Sequence, residues 1–396
     1  MMNIRFLNQS MIKKIFAFFA LVLVGFYFYF GFQGFNLMKI WNSFYQSDFY
    51  INYEGGFVRR GLDGQIIYEI SKITSVNAIW IQKTYNILFF LIFAALVCYF
   101  ILRYRPPFFV VFSTSILLLF VFYLGRGIRK DHILLVFFFL SCFEIVKRKN
   151  KTVAFISVNL LSIIASLIHE LYFIISFFPL VILLKNFIFE KDQLSEYLRS
   201  TLFLLPSIFI FLIIFFFGLG NSYQQIAILA SWKQIGVENV LFNSGIFDRN
   251  LYIWELGFTR NQYISFLIAI ILHFIFMMIM ISNDLKKRKL KINFYILIGL
   301  QYGVLLLLSI VAKDFSRWIF LCNFTTLISV YILKKKSTYQ ISELENSFSF
   351  FRKIYWLPYI LFFINTMPHS GWSFNDYVVY NPVNLVYKII TEKPIF

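Results

Sequence analysis

Between residues 47 and 65 the chain reads SDFYINYEGGFVRRGLDGQ, which gathers the carboxylates Asp48, Glu54 and Asp63 and the guanidiniums Arg59 and Arg60 around Gly55, Gly56 and Gly61. These residue types together suit work on an anion. Glycine lets backbone N–H groups approach an oxyanion closely, a guanidinium fork grips phosphate through two parallel hydrogen bonds, and a carboxylate can orient or deprotonate a hydroxyl. A helix beginning near Leu62 would add its own backbone N–H groups to the same place. The plainer alternative is that Arg59 and Arg60 pair with Glu54, Asp63 or lipid headgroups.

Three further polar stretches carry comparable groups. GRGIRKDH, 125–132, offers Arg126, Arg129 and Lys130 as further cations, with Asp131 and His132 opening the next helix. Asp131 there is either a substrate contact or a partner for the helix dipole. In SLIHELYF the pair His169 and Glu170 could transfer a proton or close a helical hairpin by hydrogen bonding. AKDFSRW supplies Asp314 and Arg317, either a substrate pair or a local ion pair three residues apart. One His/Glu pair is too few ligands for a metal site, so neither metal nor cofactor is expected.

The rest of the chain must position these groups in lipid. Of 396 residues, 60% are hydrophobic and 14% charged, with 54 Phe, which excludes an ordinary soluble domain. Apolar runs at about 15–32, 84–102, 108–124, 132–146, 153–168, 171–185, 200–219, 262–282, 292–312, 316–333 and 354–367 predict an all-α polytopic bundle. It has about eleven transmembrane helices and one membrane domain spanning 1–396. The two runs in 153–184 are read as short helices hinged at His169-Glu170. Basic bursts at Lys13-Lys14, Arg103–Arg105, Lys147–Lys151, Lys185–Arg199, Lys286–Lys291 and Lys334–Lys336 alternate with the spans and take most of the 37 Lys/Arg. By the positive-inside rule the N-terminus is then cytoplasmic and the C-terminus periplasmic. All four polar stretches fall on the outer side, the first within a long loop, about 33–83, that holds two interfacial helices. The formal net charge of +18 is accounted for by these bursts, so no nucleic-acid partner is expected. A fourth outer loop, about 219–261, carries Trp232 and Trp254, which suit sugar stacking or the membrane interface. Cys98, Cys142 and Cys322 fall within predicted spans and read as packing residues, and His273 and Gln301 as hydrogen-bond donors between helices.

No nucleotide-binding loop, zinc-protease motif or nucleophile elbow is present. The layout resembles GT-C membrane glycosyltransferases, whose long first outer loop holds an acidic residue, here Asp48 with Glu54 as the competing candidate. Locally, NYEGGFVRRGLDG, RKDH, IHELYF and DFSRW resemble stretches of Wzy-type O-antigen or capsule repeat-unit polymerases. The resemblance implies a multi-pass enzyme of the bacterial inner membrane that transfers a polyprenyl-pyrophosphate-linked glycan onto another lipid-linked repeat unit. Its partners would be that substrate, membrane lipids and other assembly proteins such as a chain-length regulator. Asp48, Glu54, His169 and Glu170 would be the catalytic candidates. Gly55, Gly56, Arg59, Arg60, Arg126, Arg129 and Lys130 would hold phosphate, and Asp131, His132, Asp314 and Arg317 other parts of the substrate. The chain lacks the adjacent acidic pair usual in the GT-C first loop. A single-sugar GT-C transferase and a lipid-linked oligosaccharide flippase are the competing readings.

Reporter fusions at Lys149, Lys289 and Lys335 are expected to behave as cytoplasmic, and those at Gly55, Ser244 and His369 as extracytoplasmic. Gly55 and Lys289 on one side of the membrane would overturn the assignment.

Overall fold

The computed structural model describes residues 46–104, 130–148, 150–189, 195–238, 240, 270–271, 274, 288–311 and 315–338. Their regular elements are all helices. α1 is Gly61–Thr74, α2 Ala78–Tyr104, α3 Asp131–Lys147, α4 Lys151–Ile168 and α5 Leu171–Leu184, the last continuing as a π-helical turn over Lys185–Phe189. α6 is Ser195–Phe203, α7 Leu205–Phe217, α8 Ser222–Gln234, α9 Arg288–Val311 and α10 Phe315–Thr338. Three helices, Ala78–Tyr104, Lys151–Ile168 and Leu171–Phe189, are long and apolar enough to cross a membrane, and a fourth crossing results if the bent pair α6–α7 is one span. The expected runs at 15–32, 108–124 and 354–367 lie outside the described residues, as does most of 262–282.

α2 begins six residues before its expected start and runs for 27 residues. Its buried face repeats as Ala78, Gln82, Asn86, Phe90, Phe93 and Val97, close to the helical period that lines one side against neighbours. Phe93, Phe139 and Phe324 meet there, joining α2, α3 and α10 through rings 5.7–6.3 Å apart. Cys142 and Cys322 are buried in the same packing. Gln301, as expected, donates across helices, from α9 to the Ile175 carbonyl of α5 at 2.9 Å.

The hinge at His169-Glu170 is real. Lys151, at the start of α4, lies over the ring of Phe189, at the end of the α5 extension, 5.6 Å from its centroid, so the two helices return alongside each other. Ser162 and Tyr172 hydroxyls meet at 3.4 Å between them.

The run expected as one span at 200–219 is two helices, α6 and α7, bent by 61°. Pro206 in the first turn of α7 has no N–H to offer and forces the break at Leu204. Broken helix in lipid needs substitute hydrogen bonds, and one side chain of α4 provides them. Asn159 donates to the Phe203 carbonyl at 2.9 Å and accepts from Ser207 N at 3.3 Å and Ser207 Oγ at 2.6 Å.

The helix ends sort into two sets. At one, Lys335 donates to the Arg103 carbonyl at 2.7 Å, Lys336 bonds the Asn186 carbonyl, and Lys151 covers Phe189. These are the basic bursts assigned to the inside. At the other, the first loop meets the N-termini of α1 and α3, the α4–α5 hinge and the C-terminus of α7.

Asn159→Ala should cost about 1–3 kcal/mol in reversible unfolding in mixed micelles, since it removes the side-chain donor to the Phe203 carbonyl and the shorter of the two acceptors of the buried Ser207 hydroxyl. An unchanged stability would show that the bend does not depend on this side chain.

Candidate functional site

The first loop is tied down before it presents any charge. Trp232 of α8 is buried, donates to the Tyr50 carbonyl at 2.7 Å and packs edge-on against the Tyr50 ring. It is therefore a strut for the loop. Asn52 donates to Ser231 at 2.7 Å, Gln65 accepts from Tyr53 N at 2.8 Å, and Arg59 N donates to the Gly218 carbonyl at the end of α7 at 2.8 Å. Gly55 and Gly56 lie against Gln224 in the first turn of α8. A Cβ on Gly55 would come within 2.6 Å of Gln224 Cα, and Gly56 has φ +105. Gly64 is tighter still, with the Ile51 carbonyl oxygen 1.8 Å from any added Cβ. The glycine content of this stretch thus serves close approach of the loop to α8 and α1.

Tethered this way, the loop brings six ionisable side chains from three distant segments together. Arg60 donates from Nε and Nη2 to both carboxylate oxygens of Glu170 at 2.6–3.0 Å, and its Nη1 reaches Asp48 at 3.5 Å. Arg59 Nη1 lies 3.8 Å from Glu170. Lys130, almost wholly buried, sits 2.9 Å from Asp63 Oδ1 and 3.7 Å from Asp48 Oδ2. It also donates to the Arg60 carbonyl at 3.2 Å and the Ile168 carbonyl at 3.4 Å, with its ammonium over the Phe49 ring. Arg60 holds a left-handed backbone, φ 64, immediately before α1. A non-glycine residue there is strained by about 1–3 kcal/mol, which the surrounding contacts must hold in place.

Burial and charge oppose each other at each group. Burial would raise the Asp48 carboxyl, but Lys130 and Arg60 outweigh it and bring it down to about 2. Glu170 is likewise desolvated yet held well below the usual carboxylate range, by Arg60 above all. Arg60 would be lowered by burial, and Glu170 and Asp48 raise it instead. At Asp63 burial wins despite Lys130, and its carboxyl is pushed up to about 7; its Oδ2 has no hydrogen-bond partner among the described residues. At Arg59 burial also dominates and lowers the guanidinium, with Glu170 only partly offsetting it. The Arg59 side chain is 24% exposed, against 20% for Arg60 and 1% for Lys130.

His169 opens the hinge and accepts the Leu171 N–H at Nδ1, 3.1 Å. The same Nδ1 is 3.4 Å from Glu170 Oε2.

Of the residues singled out by sequence, Asp48, Arg59, Arg60, Lys130, His169 and Glu170 come together. Glu54 is exposed and accepts from Gln65 at 3.1 Å. Asp131 and His132 are buried at the start of α3, with the His132 ring 6.3 Å from Phe90. Arg126, Arg129 and Asp314 lie outside the described residues; Arg317 is on α10, with its side chain outside them. Lys130, expected from its sequence to meet a polyanion, has Asp63 and Asp48 as counter-ions within the chain. Asp63 carries more than its sequence suggested, because nothing in RRGLDG marks it as the buried counter-ion of a residue 67 positions away. Among the described residues no three His, Cys, Asp or Glu side chains converge to hold a metal ion.

No protein-family model matches the chain, and neither curated proteins nor solved structures give a significant match.

The Asp63 carboxyl binds its proton more tightly in the folded chain than its ordinary 3.8, so its contribution to stability is full below that value and is lost as pH rises through about 7. Wild type should therefore lose stability relative to Asp63→Asn between about pH 4 and pH 7 and run parallel to it above. A difference that stays flat across this window would contradict the assignment.

Proposed function

We propose that the chain is a membrane glycosyltransferase of surface-polysaccharide assembly that joins polyprenyl-diphosphate-linked repeat units at the outer face of the inner membrane. The carrying observation is the convergence of the first loop, Lys130 and the α4–α5 hinge on one buried charge cluster, at the helix ends opposite the basic bursts. Ionised groups in so apolar a chain are costly, and a cluster of them at one depth is a functional site by default. The full bundle in this reading has about eleven spans.

The reaction joins an acceptor hydroxyl oxygen to the anomeric carbon of the donor glycan while the bond from that carbon to the diphosphate oxygen breaks. The leaving polyprenyl diphosphate needs positive charge and the acceptor proton needs a base. Arg59, the most exposed of the cluster's three cations, supplies the first. Among the carboxylates, Glu170 is committed to the short Arg60 fork, whereas the contacts of Asp48 are long, 3.5 and 3.7 Å. Asp48 therefore retains acceptor capacity for a substrate hydroxyl. Its depressed pKa makes it a weak base, suited to orienting that hydroxyl and taking the proton late. Arg60 shapes the site through Glu170 and its left-handed backbone.

One observation favours the flippase reading. The 61° break between α6 and α7 lies against Asn159, half-way along α4, and broken helices are common in transporters. A purified chain given lipid-linked repeat units in detergent, where no membrane remains to be crossed, separates the two.

Longer lipid-linked glycans should appear in that assay, and Asp48→Asn should slow their formation at least about 100-fold with the folded fraction unchanged. Deleting the gene should leave single-repeat lipopolysaccharide or capsule precursor on a gel. Absence of any chain extension by the purified wild type would refute the polymerase reading, and normal turnover in Asp48→Asn would remove that residue from the mechanism.

A further inference from the structure

The buried face of α2 begins with two amides where the rest of it is apolar. Gln82 and Asn86 lie one turn apart between Ala78 and Phe90, and both are almost wholly buried. Gln82 Oε1 accepts from the Tyr50 hydroxyl at 3.3 Å, but its Nε2 has no protein partner among the described residues. Neither Nδ2 nor Oδ1 of Asn86 has one either. On α1, which packs against α2, Asp63 has the same deficit at Oδ2 while its Oδ1 faces Lys130.

These groups flank the charge cluster. Tyr50, bonded to Gln82, adjoins Phe49, whose ring lies beneath the Lys130 ammonium 5.4 Å away. Phe90, one turn beyond Asn86, meets His132, two residues after Lys130. α1 packs against α2, and Phe90 of α2 against His132 of α3, so the unmatched atoms lie on elements that flank the ion pairs.

A buried amide without partners destabilises a fold, and a Leu at either position would match the Phe90 and Phe93 that follow. Such groups persist where a ligand supplies the missing bonds. The unmatched atoms name the ligand's chemistry: two amide nitrogens donate, Asn86 Oδ1 accepts, and Asp63 Oδ2 donates when its carboxyl holds the proton and accepts when it does not. A phosphate diester offers acceptors only and would leave Asn86 Oδ1 unmet. A metal ion would leave the amide N–H groups unmet. Hydroxyl and acetamido groups both donate and accept, and a sugar ring carries several side by side.

We propose that Gln82, Asn86 and Asp63 form a sugar-recognition subsite that binds hydroxyl or acetamido groups of the glycan residue next to the diphosphate, with Asn86 setting specificity. This rests on the transferase reading above and adds where in the chain the sugar is read.

The test compares equilibrium binding of polyprenyl diphosphate with and without its glycan to the purified full chain, for wild type and Asn86→Leu, alongside thermal stability. Asn86→Leu should be at least as stable as wild type, should bind the glycan-bearing lipid at least about tenfold more weakly, and should bind the sugar-free lipid unchanged. Should the Leu variant not fold, Gln82→Met, close in shape and lacking the amide, should show the same selective loss. Equal weakening for both lipids, or no weakening, overturns the subsite. So does competition by phosphatidylglycerol as effective as that of the glycan lipid, which would make a headgroup hydroxyl the occupant. Wild type binding neither polyprenyl lipid overturns the transferase reading itself, whereas wild type binding both equally overturns only the subsite.

Discussion

The fork between Arg60 and Glu170 is the contact on which the described structure turns. It joins the first loop to the α4–α5 hinge across 110 residues of sequence, and it holds Arg60 in a backbone conformation the residue would otherwise avoid. Through the Arg60 carbonyl it also fixes Lys130, and through Lys130 the carboxylates of Asp48 and Asp63. Desolvated charges gain little from pairing unless the geometry is good and the remaining hydrogen bonds are met; removing one partner strands the rest. The cluster should therefore assemble as a unit.

This arrangement explains why the loop can be both polar and rigid next to lipid. Its backbone is carried by α8 through Trp232, Ser231 and Gln224, and by α1 through Gln65 and the close fit at Gly64. α1 itself turns Asp63, Gly64, Ile67, Tyr68 and Ser71 inward and leaves Ile66, Ile70 and Ile73 exposed. That is the orientation of an interfacial helix whose apolar side meets the bilayer.

Much of this was legible in the sequence. The apolar runs at 84–102, 132–146, 153–168 and 171–185 correspond to helices because each is long and, apart from Glu144, free of charge between its ends, with Lys or Arg at one end or both. The hinge at His169-Glu170 was legible because two polar residues interrupt a run otherwise too long for one crossing. The break at Leu204 was less so: Pro206 is visible, but Pro at the first turn of a helix and Pro within a helix look alike without the partner Asn159 from another segment. The same limit hid the commitments of the site. That Arg60 grips Glu170 and Lys130 grips Asp63 are facts of tertiary contact, and spacing along the chain carries no trace of them. The buried amides of α2 were obscured by their position at the edge of an apolar run, where polar residues usually mean a surface.

The central claim is that this one cluster receives an anionic lipid-linked glycan, with Arg59 its principal contact to phosphate. Native mass spectrometry of the purified chain with polyprenyl-diphosphate glycan, in excess phosphatidylethanolamine, addresses it directly. The account predicts a one-to-one complex with wild type that Arg59→Ala loses and Arg59→Lys only partly restores, because an ammonium cannot reproduce a guanidinium fork. A complex that persists undiminished in Arg59→Ala, or none in wild type, would contradict it.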